Sequence, residues 1–149
     1  MDKTNSKILH ILQDKARIPN VEISRMINLA PSAVLERIRK MEQQEVIQGY
    51  EVRLNPAHFN CKLISFLMVD VEPGQSSETV GDELSSIPEV QEVHFISGDD
   101  SYLVKLRTSD TEALNDLMTS CIRKIPGIRS TRTMPVLATH KETTHIPIP

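Results

Sequence analysis

The sequence predicts an α+β chain: a winged helix-turn-helix over residues 1–55, a ferredoxin-like βαββαβ domain over residues 60–138, and a tail over residues 139–149. Three observations carry this. Residues 1–41 hold three short apolar patterns at helical spacing, separated by prolines and asparagines. Beyond Pro56 the order becomes strand, helix, strand, strand, helix, strand. Charge also divides along the chain: residues 1–55 hold nine Lys or Arg against seven Asp or Glu, a balance of +2, and residues 56–149 hold eight against thirteen, a balance of -5. Two domains with different partners would produce that asymmetry.

Asp2 or Thr4 is placed to cap a first helix whose Ile8, Ile11 and Leu12 recur at intervals of three and four. Ile18-Pro19-Asn20 ends it, and Asn20 is placed to cap a second helix with Val21, Ile23, Met26 and Ile27 as its apolar residues. Asn28-Leu29-Ala30 makes the turn. Pro31 then opens a third helix at the position where a missing N–H leaves no bond unmade. That helix is predicted to turn Val34, Leu35, Ile38 and Met41 inward and Ser32, Ala33, Glu36, Arg37, Arg39 and Lys40 outward. After Gly49, the alternation of Tyr50, Val52 and Leu54 predicts a wing strand that ends at Asn55-Pro56.

In the second half, residues 63–71 are apolar on both alternations, as in a strand covered on two sides, and Pro73-Gly74 closes them. Val80, Leu84 and Ile87 predict a helix stopped by Pro88. Residues 90–97 and 102–108 predict two strands joined by Gly98-Asp99-Asp100-Ser101, a hairpin by its residue types. Leu114, Leu117, Met118, Cys121 and Ile125 predict a second helix, capped by Asp110 and ended by Pro126-Gly127; residues 128–137 predict a fourth strand. Helices cover only one face of such a sheet. A second copy of the same sheet would cover the other, so a homodimer is expected. The tail, with Pro147 and Pro149, has no period and is expected to be an extended arm or disordered.

The composition excludes several classes. No apolar run approaches the roughly 18 residues of a spanning helix, and the polar start Met1-Asp2-Lys3-Thr4-Asn5 lacks an apolar leader, so a cytoplasmic location is expected. Cys61 and Cys121 form no Cys-x-x-Cys pair and are expected to be buried, reduced thiols. His10, His58, His94, His140 and His145 are scattered, which predicts surface or structural roles and no metal. No nucleotide-binding glycine motif, phosphate loop, nucleophile elbow or His-Glu-x-x-His occurs, so neither a cofactor nor catalytic residues are expected.

The third helix is the main functional element. A recognition helix needs small or polar residues where the backbone nears base edges and cations where it nears phosphates. Ser32, Ala33, Glu36 and Arg37 suit the first task, and Arg39 and Lys40 the second. The plainer alternative, an ordinary charged surface helix, loses weight because a helix and turn of the right length precede it. Double-stranded DNA is therefore the expected partner.

The stretch from Leu29 through Arg37 to Glu42, followed by Val46-Ile47-Gln48-Gly49-Tyr50 and Leu54-Asn55-Pro56, resembles the Lrp/AsnC (feast/famine) family of regulators. Ser97-Gly98-Asp99, Pro126-Gly127-Ile128 and Thr131-Arg132-Thr133 extend the likeness over nearly the whole chain. The resemblance implies a homodimer that pairs sheet to sheet and assembles further into a tetramer or octamer. It also implies a small-molecule effector, an amino acid or similar metabolite, bound near the contacts between dimers. The matching positions are Gly98, Asp99, Asp100, Ser101 and Tyr102 with Thr131, Thr133, Met134 and Pro135. Asp99 is the expected partner of the ligand's ammonium, and Thr131, Thr133 and backbone N–H groups of the hairpin of its carboxylate. Met134 favours an apolar ligand such as leucine or methionine, whereas Asp100 suits a cationic one. The family usually has an aromatic residue where Asp100 stands. Two other classes share the resemblance: a sirohaem decarboxylase-like enzyme, whose Trp-containing segment this Trp-free chain lacks, and a nucleoid-organising DNA binder with no effector.

Overall fold

The computed structural model describes residues 2–74, 77–98 and 101–149. It divides into two compact units, Met1–Arg53 with Lys141–Pro149, and Leu54–His140.

The N-terminal unit holds α1 (Lys3–Asp14), α2 (Asn20–Ile27) and α3 (Pro31–Gln43). Asp2 caps α1, its carboxylate accepting the Asn5 N–H at 2.7 Å. Asn20 is not the cap of α2 but its first helical residue; the Pro19 carbonyl accepts the Glu22 and Ile23 N–H groups instead. Asn28, at φ 56°, ends α2 in the left-handed conformation that asparagine tolerates better than most residues. Pro31 opens α3. Glu45 (φ 55°) lies just beyond its end, where the Val46 N–H returns to the Met41 carbonyl at 2.9 Å and the Glu45 N–H to that of Glu42 at 3.0 Å. These two bonds close a Schellman motif with glutamate in the place usually given to glycine. The core is one stripe from each helix: Ile8 and Leu12, Ile23, and Val34, Ile38 and Met41.

Several apolar residues of this unit depart from expectation. Leu35, expected inward, lies on the exposed side of α3, and Val21 and Met26 are exposed on α2. Short helices in a three-helix unit bury one narrow stripe, and these three fall outside it. The wing strand does not form: residues 48–55 carry no strand ladder, and Tyr50, Val52 and Leu54 are exposed. Alternation marks a segment with one apolar side, but a strand exists only where a second strand takes its N–H and C=O groups.

The tail has neither helix nor strand, yet it is held within this unit. The Gln13 side chain donates to the Ile146 carbonyl at 3.2 Å and accepts the Ile146 N–H at 2.8 Å, and Arg53 donates to the Glu142 carbonyl at 3.1 Å.

The C-terminal unit is a four-stranded antiparallel sheet in the order β2-β3-β1-β4, made of β1 (Leu63–Val71), β2 (Val90–Ile96), β3 (Ser101–Thr108) and β4 (Ile128–Pro135). Helices α4 (Ser77–Ser85) and α5 (Thr111–Ser120) supply Val80, Leu84, Leu114, Leu117 and Met118 to a core with Leu67, Val69, Val71, Val104 and Leu106. Asp110 caps α5 through the Ala113 N–H at 2.9 Å. The helical pattern continues past Ser120 only as a 3-10 turn over Ile122–Lys124. Gly81 lets α4 approach the ring of Tyr102, where a Cβ would fall 2.7 Å from the phenol oxygen. The cysteines correct the expectation of buried thiols: Cys61 is half-buried and Cys121 exposed, because Cys121 stands beyond the end of α5, off its core stripe.

Candidate functional site

Helix α3 carries the expected nucleic-acid interface. Its buried residues Val34, Ile38 and Met41 fix the opposite side as outward. Ser32, Glu36, Arg39 and Lys40 are exposed there, at spacings that keep them on one face. Ala33 and Arg37 are only half-buried and lie to the side of that face. The Arg37 Nη1 donates to Asp2 Oδ2 at 2.6 Å and to Asn5 Oδ1 at 2.8 Å, so the guanidinium is engaged with the start of α1. Asp2 serves two helices at once. The Asn5 backbone N–H, with the Arg37 hydrogen bond second, holds its carboxyl below the usual range. Neither Asp2 nor Asn5 was legible as a partner of Arg37, because they come together only when α1 and α3 pack. Tyr50 donates to Glu42 at 2.9 Å, and partial burial together with that carboxylate pushes its phenol up to about 12.

The residues expected to meet an effector divide between the two faces of the sheet. Cross-strand partners share a face. Tyr102 and Thr131 both lie opposite Val69, Thr133 opposite Leu67 and Pro135 opposite Ser65, all on the side that carries the helices. Ser101, opposite Asp70, and Met134, opposite Phe66, lie on the other side. Strand β1 separates β3 from β4, so side chains on these two strands are roughly 10 Å apart at two strand spacings. Within one chain they do not converge on one point. Ser101 and Tyr102 are buried, Gly98 is exposed at φ 122°, and Asp99 and Asp100 lie outside the described residues.

One group beside this region went unnoticed in the sequence. The Asp70 carboxylate accepts hydrogen bonds from Ser101, at 2.7 Å, and from Ser130, so it joins β3 to β4 across β1. The Ser130 bond first and the Ser101 bond second hold its carboxyl below the usual range, against a small opposing effect of burial, with Arg129 and Arg132 adding to the lowering. Its signal was the row Ile64, Phe66, Met68, Asp70, in which an acid closes an otherwise apolar alternation. That row faces away from the helices, with Leu103, Lys105, Arg132 and Met134 opposite its members.

Three helices with a left-handed turn before an exposed cationic face, followed by a βαββαβ sheet open on one side, define a helix-turn-helix regulator with an appended α+β domain. The chain belongs to the Lrp/AsnC family of transcriptional regulators: the AsnC-type helix-turn-helix domain matches residues 1–42 and the Lrp/AsnC ligand binding domain matches residues 64–146. Among its relatives, the HTH-type transcriptional regulator FL11 of Pyrococcus horikoshii is 40% identical over 148 residues, 99% of this chain and 97% of the relative. The leucine-responsive regulatory protein of Escherichia coli K12 is 35% identical over 150 residues, 99% of this chain and 92% of the relative. The fold matches that of a Neisseria meningitidis transcriptional regulator solved in complex with L-Met, with a TM-score of 0.93 and 28% identity, covering 99% of this chain and 96% of that one. Among the described residues no helix is long and apolar enough to cross a membrane, and no group of His, Cys, Asp or Glu is placed to hold a metal ion.

Proposed function

We propose that the chain is a cytoplasmic, non-enzymatic regulator that binds double-stranded DNA through the outward face of α3. In this reading residues 1–55 bind DNA, residues 60–138 assemble the protein and sense an effector, and residues 139–149 are an appended tail. The observation that carries it is the row Ser32, Glu36, Arg39 and Lys40, polar and exposed on a helix whose other side is wholly core. Small and polar groups at its start suit base edges, and the cations farther along suit phosphates. The homodimer forms through the open sheet face, where Phe66, Met68, Leu103 and Met134 lack a helix above them, and dimers assemble into a tetramer or octamer.

The effector is an amino acid. The Neisseria relative solved with L-methionine supports that class, and exposed Met134 suits a flexible apolar side chain. Because Gly98, Ser101 and Tyr102 stand apart from Thr131, Thr133, Met134 and Pro135 within one chain, the site draws on β3 and β4 of different copies. Selection of duplexes from a random pool, followed by titration with and without each of the twenty amino acids, L-leucine, L-methionine and L-lysine foremost, tests the whole reading. A selected motif whose affinity shifts with one of them is the expected result. No enrichment would remove the DNA-binding role, and enrichment insensitive to all twenty amino acids would remove the effector class.

A further inference from the structure

We infer that Arg37 is a positioning residue rather than a reader of bases: it fixes α3 against the start of α1, and the face that meets the groove is Ser32, Glu36, Arg39 and Gln43, with Arg39 directed to phosphate. The inference rests on the DNA-binding reading above and changes which residues carry it.

Helix geometry supports this placement. At about 100° per residue, Ser32, Glu36, Arg39 and Gln43 fall within a sector of roughly 60°, diametrically opposite the core stripe of Val34, Ile38 and Met41. Arg37 lies about 140° round from Ser32, at the border of the core stripe on the side where α1 packs. Gln43 is exposed and was not among the residues expected from sequence, because it follows the cationic run instead of preceding it.

Bonding supports it as well. The single nitrogen Nη1 makes both contacts, to Asp2 at 2.6 Å and Asn5 at 2.8 Å. Asp2 spends its other oxygen on the Asn5 backbone N–H, so the cap of α1 and its tie to α3 are one carboxylate. A bidentate base contact would need the guanidinium to leave these acceptors and cross to the outward face, while the three groups now joined would have to find water. The first turn of α1 and the middle of α3 are thereby held at one spacing. Base readout tolerates little error in that spacing, since the helix must seat at a fixed depth in the groove.

The use of one nitrogen makes the two roles separable. A lysine ammonium can donate to two acceptors as Nη1 does, but it cannot reproduce the planar fork that reads a guanine. The test uses the full-length protein, a duplex selected by the wild type, and an unrelated duplex of equal length. Variants are Arg37→Lys, Arg37→Ala, Asp2→Ala, the Asp2→Ala/Arg37→Ala pair and Arg39→Ala, with affinities referred to active concentration. Arg37→Lys is expected to stay within about twofold of wild type. Arg37→Ala and Asp2→Ala should each weaken binding by roughly threefold to fivefold on the selected duplex, the effect of removing one solvent-exposed ion pair, and much less on the unrelated one. The double variant should be no worse than either single one. If Arg37→Lys loses specificity as severely as Arg37→Ala while Asp2→Ala binds as wild type, Arg37 reads a base and the inference is overturned. Equal weakening on both duplexes would overturn it too, by showing a purely structural tie. Should the wild type prefer no duplex, the DNA-binding reading itself fails, and thermal melting of the same variants still reports whether Asp2 and Arg37 are coupled.

Discussion

The two units bury their apolar residues differently. In the N-terminal unit three helices each contribute one stripe, and the small core is supplemented by polar ties at its edge: Asp2 to Arg37, Tyr50 to Glu42, and Gln13 to the backbone of Ile146. In the C-terminal unit two helices pack on one face of a sheet, giving a larger core and leaving a second, partly apolar face without a helix. The first arrangement places a recognition helix by a few identifiable contacts. The second leaves a platform with one face that carries no helix.

Neighbouring residues on β1 should separate core from seam. Leu67 is fully buried beneath the helices, and Leu67→Asp would strand a charge there, at a cost of about 3–5 kcal/mol or more. Loss of the folded C-terminal unit in circular dichroism is expected. Met68 lies on the open face, half-buried, so Met68→Asp should keep the fold and release monomers in sedimentation. A Met68→Asp protein that remains dimeric would place the seam elsewhere.

The small core should be the more fragile. Ile38→Ala is expected to cost about 2–4 kcal/mol and to detach the melting of the N-terminal unit from that of the sheet, as two calorimetric transitions. A single unshifted transition would show that the units unfold together and that this stripe matters less than its burial implies.

Period and punctuation made most of this architecture legible. Pro31, Asn28 and Asp110 marked helix ends by their backbone and capping chemistry, and the apolar row of β1 foretold an uncovered face. What stayed hidden depends on contacts between distant residues. Residues 50–54 alternate as a strand does, but no partner strand in the described residues accepts them. Gln13 holds the tail through the backbone of Ile146, which has no residue-type signature. The composition of α3 marked its exposed polar face, yet not that Arg37 is turned toward Asp2. Alternation along β3 and β4 placed the expected effector residues on two faces, a division that their proximity in sequence concealed.

Acid should act on the sheet through Asp70. Its folded carboxyl titrates below its unfolded value, so its stabilisation is complete above the ordinary carboxylate range near 3.8 and is lost as pH falls through the lower folded value. Melting of Asp70→Asn beside wild type should show a deficit at neutral pH that disappears on acidification. A deficit independent of pH would mean that shape, not charge, joins β3 to β4.

The smallest effect lies in the helical unit. Glu45 adopts a left-handed backbone at φ 55°, so Glu45→Gly should gain roughly 0.5–1 kcal/mol, because a Cβ resists that backbone conformation and glycine does not. A lower melting temperature for this variant would show that the glutamate side chain makes a contribution larger than the strain.

The central claim is that the outward face of α3 meets DNA, and salt dependence of duplex binding tests it most directly. Wild-type affinity should fall steeply as salt rises, and the Arg39→Ala/Lys40→Ala protein should bind more weakly with a log–log slope shallower by about 2, near one unit for each cation removed from the phosphate backbone. Unchanged affinity and slope in that variant would contradict the assignment of this helix to DNA.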